Sequence, residues 1–177
     1  NRTVDAAFAF IVVGLGLKLA MFPMHVWLPN AYTYAPSVVT AFLAATATKV
    51  AVYVLLRFVF TVFGTGFEFA ALTLTWVLIP LALAAMFVAT IAAIYQVNVK
   101  RLLAFSSVAQ LGYMVLGIGM LSTTGLTATI LHLFNHALMK GALFLAIGAV
   151  AYRVGSTNIE AMRGLGKRMP WTMAAFS

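Results

Sequence analysis

The sequence predicts an all-α polytopic membrane protein, and three observations carry that class. Of its 177 residues 64% are hydrophobic and 8% charged, with a mean hydropathy of +1.05, whereas a soluble domain carries about 25% charged residues. Five apolar runs, near 4–22, 36–60, 72–95, 102–121 and 126–152, approach or exceed the roughly 20 residues that cross a bilayer as a helix. The connections alternate in charge: 96–101 and 153–168 are basic, while 61–71 and 122–125 hold no Lys or Arg. In this setting the net charge of +8 sets topology and does not indicate nucleic acid. The absence of cysteine removes disulfides and thiolate metal sites. The sequence opens on Asn1-Arg2 with no signal-peptide pattern and closes at Phe176-Ser177, just after a helix start near 170. It reads as one transmembrane region cut from a longer membrane subunit.

The first run contains Lys18 and is stopped by Pro23, because the residue before a proline is pushed out of the helical region. A short segment, 23–29, continues it with His25 and Trp27 before Pro29 interrupts the path again. Broken helices beside a charge at membrane depth build ion and substrate sites; a lysine snorkelling from a helix end with Trp27 as an interface anchor is the plainer alternative. Pro36 suits the first turn of the next helix. Lys49 stands near the middle of that helix, with Thr46 and Tyr53 on its face at i−3 and i+4. A lysine at the bilayer centre costs at least about 2.5–3.5 kcal/mol, so Lys49 is expected to work for its place. The third run has no ionisable group before Tyr95, and Pro80 is expected to kink it. The fourth aligns Ser106, Gln110 and Tyr113 on one face, either as interhelical hydrogen-bonding groups or as a path for water-borne protons.

The fifth run holds the strongest signal. His132, His136 and Lys140 recur at four-residue spacing and so fall within an arc of about 80° along about 12 Å of one helix. Lipid does not tolerate such a stripe, which must face protein or water. Proton-exchanging groups stacked in this way suggest a relay. Neither this run nor the segments with Lys18 and Lys49 contain a carboxylate in their interior. A desolvated amine either sheds its proton or finds an anion, so these lysines either titrate or meet a carboxylate from outside the sequence. His132 and His136 could ligate a metal, but no third ligand accompanies them. No nucleophile–base motif or carboxylate cluster points to hydrolysis.

Four stretches, taken in order, resemble one family. Lys18-Leu19-Ala20-Met21-Phe22-Pro23-Met24-His25-Val26-Trp27-Leu28-Pro29-Asn30-Ala31 leads to Ala35-Pro36-Ser37 and then to Lys49-Val50-Ala51-Val52-Tyr53-Val54-Leu55-Leu56-Arg57. Lys100-Arg101-Leu102-Leu103-Ala104-Phe105-Ser106-Ser107, with Gln110-Leu111-Gly112-Tyr113, precedes Leu131-His132-Leu133-Phe134-Asn135-His136-Ala137-Leu138-Met139-Lys140. Together they resemble the proton-translocating, antiporter-like membrane subunits of respiratory complex I, of Mrp-type sodium/proton antiporters and of membrane-bound hydrogenases. Asn135 beside His136, and the run Met162-Arg163-Gly164-Leu165-Gly166, look most like the D-type member of the Mrp antiporters. The pattern departs at Asn30-Ala31-Tyr32, where many relatives have Asp-Ala-His.

The resemblance implies a fourteen-helix fold with inverted repeats and broken helices, of which this chain would supply the seventh to eleventh helices and the start of the twelfth. It implies proton or Na+/H+ translocation through a hydrated Lys/His axis: Lys18 beside the broken helix, Lys49 as the central relay, and His132, His136 and Lys140 toward the second half-channel. His25, Thr46, Tyr53, Ser106, Gln110 and Tyr113 would support it. No cofactor is expected on the chain, which would not be catalytic alone; an NADH:quinone oxidoreductase reaction or a sodium gradient would be handled by partner subunits in the same bilayer. Two other functions remain open, a transport-silent structural subunit and a quinone-site subunit with His25 and Trp27 at the headgroup. The positive-inside rule places the basic connections in the cytoplasm of a bacterial or archaeal inner membrane.

Overall fold

The computed structural model describes residues 2–64, 66 and 73–177. Among them the secondary structure is helical, apart from a single antiparallel bridge between Asn98 and Asn158. Helix α1 spans Arg2–Leu19, α2 Trp27–Tyr34 and α3 Ser37–Arg57, the last extended by a π-helical segment Phe58–Phe63. A π-helical turn, Leu74–Leu78, opens into α4 (Ile79–Ile94). Then come α5 (Val99–Gly119), α6 (Thr123–Val154), a 3₁₀ turn Ile159–Met162, α7 (Leu165–Arg168) and α8 (Pro170–Phe176). Glu68 and most of the 61–71 connection lie outside the described residues.

Several boundaries differ from the sequence reading, each for a local reason. Helix α1 ends at Leu19 instead of near residue 22, because Ala20 turns to φ 58°. The second piece of the broken helix covers Trp27–Tyr34, not 23–29. Pro29 was expected to stop it, yet it occupies the first turn of α2, where no amide proton is needed for an intrahelical bond. The halt comes at Ala35, extended before Pro36. Pro80 does not kink the middle of a helix; it sits in the first turn of α4. It has no amide proton to offer four residues back, and the turn preceding α4 is the wider π form. Five crossings were expected, whereas among the described residues four helical stretches are long and apolar enough to cross a membrane: Ser37–Phe63, Leu74–Ile94, Val99–Gly119 and Thr123–Val154. Helix α1 has 18 residues and carries Arg2, Asp5 and Lys18, which keeps it out of that set.

Apolar association gains little from water in a lipid medium, so helices hold together by close packing of small residues. Helix α4 buries Ala82, Ala85, Ala89 and Ala93 against α5. A methyl group on Gly112 of α5 would stand 2.9 Å from the Ala82 carbonyl oxygen. Outward faces carry Phe10, Phe42, Trp76, Phe87 and Leu138, as expected of surfaces that meet lipid or neighbouring protein.

The two basic connections meet. The Val99 amide donates to the Thr157 carbonyl at 2.9 Å, and the Ile159 amide donates to Val97 at 3.0 Å. The Asn98 side-chain amide also donates to the Thr157 hydroxyl at 2.8 Å. They therefore occupy one end of the bundle, separated from the 122–125 turn by the 32 residues of α6, about 48 Å of helix. In a full-length subunit cleared of other cysteines, Glu160→Cys and Thr124→Cys, both exposed, should react with a membrane-impermeant maleimide from opposite sides. Labelling from one side ends that topology.

Candidate polar seam within the bundle

The central site forms where α3, α5 and α6 pack together. Helix α6 approaches α3 closely at Gly141, where an added methyl would lie 3.6 Å from the Ala45 methyl. Beside that contact, one residue away in α6, is Lys140, 3% exposed. Its ammonium donates to the Leu103 carbonyl oxygen at 2.9 Å and to the Ser106 hydroxyl at 3.0 Å, both on α5. The Ser107 hydroxyl donates to the same Leu103 carbonyl at 2.9 Å. On α3, Lys49 is 4% exposed, and its ammonium donates to the Ala44 carbonyl of its own helix. Lys49 lies within electrostatic reach of His132, His136 and Lys140.

The histidines complete the seam. Four-residue spacing stacks the His132 and His136 rings, 5.9 Å between centroids and 6° from parallel. Tyr113 of α5 meets His132 edge-on at 6.1 Å. His136 is 1% exposed. Neither of its ring nitrogens, nor Nε2 of His132, finds a hydrogen-bond partner among the described residues. Buried polar atoms of this kind are ordinarily satisfied by protein or water. The described carboxylates are Asp5, in the first turn of α1, and Glu160, in the connection after α6. Two buried ammonium groups thus face a histidine pair, with carbonyl and hydroxyl oxygens as their acceptors. Such a cluster can hold, pass or repel a cation.

The remaining predicted residues are not all gathered here. Lys18 is exposed in the last turn of α1, outside the buried cluster. His25 is buried on the turn between α1 and α2, stacked on Phe22 at 5.3 Å and edge-on to Phe105 at 6.2 Å. The Trp27 indole donates to the Leu17 carbonyl at 3.0 Å, tying α2 back to α1. Neither companion expected for Lys49 serves it: Thr46 donates to Phe42 in its own helix at 2.8 Å, and Tyr53 is exposed. Gln110 and Tyr113 line a cleft of about 630 Å³ between α5 and α6, with His132, Asn135 and Thr129. His132 and His136 belong to no group of three potential metal ligands among the described residues.

Two buried residues escaped the sequence reading. Ser107, adjacent to the predicted Ser106, shares the Leu103 carbonyl with Lys140. Lys100, assigned to a basic loop, is buried in the first turn of α5 and donates to the Ala35 carbonyl just past α2 at 3.0 Å. A cation there satisfies a helix-end carbonyl and faces the negative end of the α2 dipole. The available signal was Asn98, whose side chain accepts the Arg101 amide as an N-cap and so puts Lys100 inside the helix.

Membrane-length helices, a broken helix and a buried Lys/His seam define a polytopic helical membrane subunit. All of residues 1–177 match the family described as NADH:quinone oxidoreductase/Mrp antiporter, TM, and the chain belongs to it. It is 44% identical over 176 residues to NADH-quinone oxidoreductase subunit N of Desulforudis audaxviator, covering 99% of this chain and 35% of that protein. It is 35% identical over 185 residues to hydrogenase-4 component B of Escherichia coli, covering 97% of this chain and 27% of that one. A chain in the structure of the Mrp complex from Dietzia sp. DQ12-45-1b superposes with a TM-score of 0.90 at 34% identity, over 99% of this chain and 32% of that chain. One in the membrane-bound sulfane sulfur reductase, an archaeal respiratory membrane complex, gives 0.88 at 36%, over 99% and 36%. The chain thus spans about a third of the length of the proteins it matches. Because quinone oxidoreductase, hydrogenase and Mrp proteins all match, the family is shown without singling out the D-type Mrp member.

Proposed function

We propose that this chain is part of an ion-translocating membrane subunit in which protons move along the Lys49, His132, His136 and Lys140 seam. The observation that carries the reading is the burial of Lys49, His136 and Lys140, with the half-buried His132 stacked on His136, where each ionisable group is costly to keep. Lys49 sits centrally as the relay between two half-channels. The His136 and His132 rings lead from it toward the α5–α6 cleft with Gln110 and Tyr113, while Lys140 and Ser106 form the branch into α5. Lys18, at the edge of this segment, is placed to meet a carboxylate from elsewhere in the subunit. The driving reaction, quinone reduction or a sodium gradient, resides in partner subunits of the same assembly, and the end carrying Arg153, Arg163, Lys167 and Arg168 faces the cytoplasm.

A second reading, that of a transport-silent structural component, draws on the same lysine, since the bonds from Lys140 to Leu103 and Ser106 tie α6 to α5. Lys140→Met in the full-length subunit separates the two. The side chain keeps its length and loses its charge, so translocation predicts an assembled complex whose vesicles form at most about a hundredth of the parental pH gradient, the lower end of what a positioned proton-transfer group contributes. An unchanged gradient defeats the translocation reading. Loss of the subunit from the complex supports the structural one.

A further inference from the structure

We propose that the cleft where the end of α6 meets α7 binds the phosphate of an anionic phospholipid. The cleft, about 510 Å³, is lined by Arg153, Val154, Leu165, Arg168 and Met169. Arg153 ends the apolar run of α6, and Arg168 ends α7. The fold brings these two exposed arginines to one hollow that the buried Leu165 also lines. Glu160, the carboxylate of the same connection, is exposed and does not line the cleft. Arg163 and Lys167 add positive charge along the same connection. Two arginines lining one hollow suit a phosphate with oxygens to share, because each guanidinium presents paired N–H donors in a plane.

Position favours a lipid over a soluble anion. The hydrocarbon-spanning part of α6 gives out at Tyr152-Arg153, so Arg153 stands at headgroup depth. Tyr152 and Trp171 flank the cleft in sequence and are 96% and 87% exposed, as are aromatic side chains at the membrane–water boundary. Val154, Leu165 and Met169 give the hollow an apolar wall for the glycerol and first acyl carbons. Basic pockets beside transmembrane helices take anionic headgroups in this way. The proposal rests on the chain lying in a membrane and stands whether or not the Lys49 seam carries protons.

The test uses the full-length subunit in its complex, reconstituted in phosphatidylglycerol nanodiscs with a photoactivatable phosphatidylglycerol, and in parallel with the phosphatidylcholine analogue. Phosphatidylglycerol should crosslink within residues 152–171, and phosphatidylcholine should not. Arg153→Gln and Arg168→Gln should each lower the yield about fivefold, one arginine's attraction of roughly 1 kcal/mol to an anionic surface converted by RT. Arg57→Gln, exposed in the last turn of α3, should leave it unchanged. Equal crosslinking by both lipids, no crosslink in this segment, or an unchanged yield in the double variant overturns the proposal. Competition by millimolar inorganic phosphate overturns it too, assigning the cleft to a soluble anion.

Discussion

Lys49→Arg in the full-length subunit is expected to leave the complex assembled and to reduce proton-gradient formation in vesicles by about 100-fold, the lower end of what a positioned proton-transfer group contributes. Lys49 is buried in α3 and its ammonium bonds to the Ala44 carbonyl, so the protein, and not solvent, holds it. An amine can give up a proton and take it back, whereas a guanidinium stays protonated inside proteins. Arginine therefore keeps the charge that His132, His136 and Lys140 experience and removes only the exchange. Lys49→Ala, which removes both, should transport equally little. The informative comparison is between the two variants. If Lys49→Arg pumps like the parent while Lys49→Ala does not, the residue is a fixed counter-charge and the relay must run elsewhere. Subunit content of the purified complex controls for misassembly.

The seam was legible because helical periodicity and the cost of a membrane charge are both readable from sequence. His132, His136 and Lys140 repeat every fourth residue, and Lys49 lies too far from either end of its apolar run to reach water. Burial of Lys49, His136 and Lys140 follows from the same argument. What failed depended on the third dimension or on fine position. Thr46 and Tyr53 lie on the Lys49 side of α3, yet a threonine in a helix readily bonds back to the carbonyl four residues earlier, as Thr46 does to Phe42. Lys18 shows its charge in the sequence but not its partner; it is exposed at the end of α1, in keeping with an expected carboxylate from outside these residues. The break was visible as Pro23 and Pro29, but a proline in a first turn and one that ends a helix look alike until the cap is known. Tyr32, where relatives were expected to place a polar histidine, instead packs edge-on against Phe144 at 5.5 Å and donates to the Leu43 carbonyl at 3.3 Å. A phenol can be both core and donor, and its sequence position alone does not say which role prevails. The lysine at position 100 was hidden by its neighbour Arg101, since a pair of basic residues reads as a loop.

Gly125→Ala is expected to destabilise the subunit by about 1–3 kcal/mol, the usual cost of forcing a methylene into a packed site. Gly125 and Gly117 face each other where α6 starts beside the end of α5. A methyl on Gly125 would stand 2.6 Å from the Gly117 carbonyl oxygen and 3.0 Å from the Ser122 hydroxyl. Neither neighbour yields cheaply. The carbonyl belongs to helical backbone, and the hydroxyl accepts the Gly125 amide as the N-cap of α6, an arrangement worth about 1 kcal/mol in itself. Thr129 is also held there by its bond to the Met114 carbonyl at 3.2 Å, so a displaced α6 would lose that tie as well. Gly141→Ala is the matched control. Its methyl would meet the Ala45 side chain at 3.6 Å, an ordinary contact, and alanine is the better helix former. Thermal denaturation of the full-length subunit in detergent should show a lower midpoint for Gly125→Ala and a parental or higher one for Gly141→Ala. Equal midpoints for the two variants would mean that α5 and α6 are not clamped together at Gly117 and Gly125, and the α5–α6 cleft that leads to His132 would lose its fixed wall.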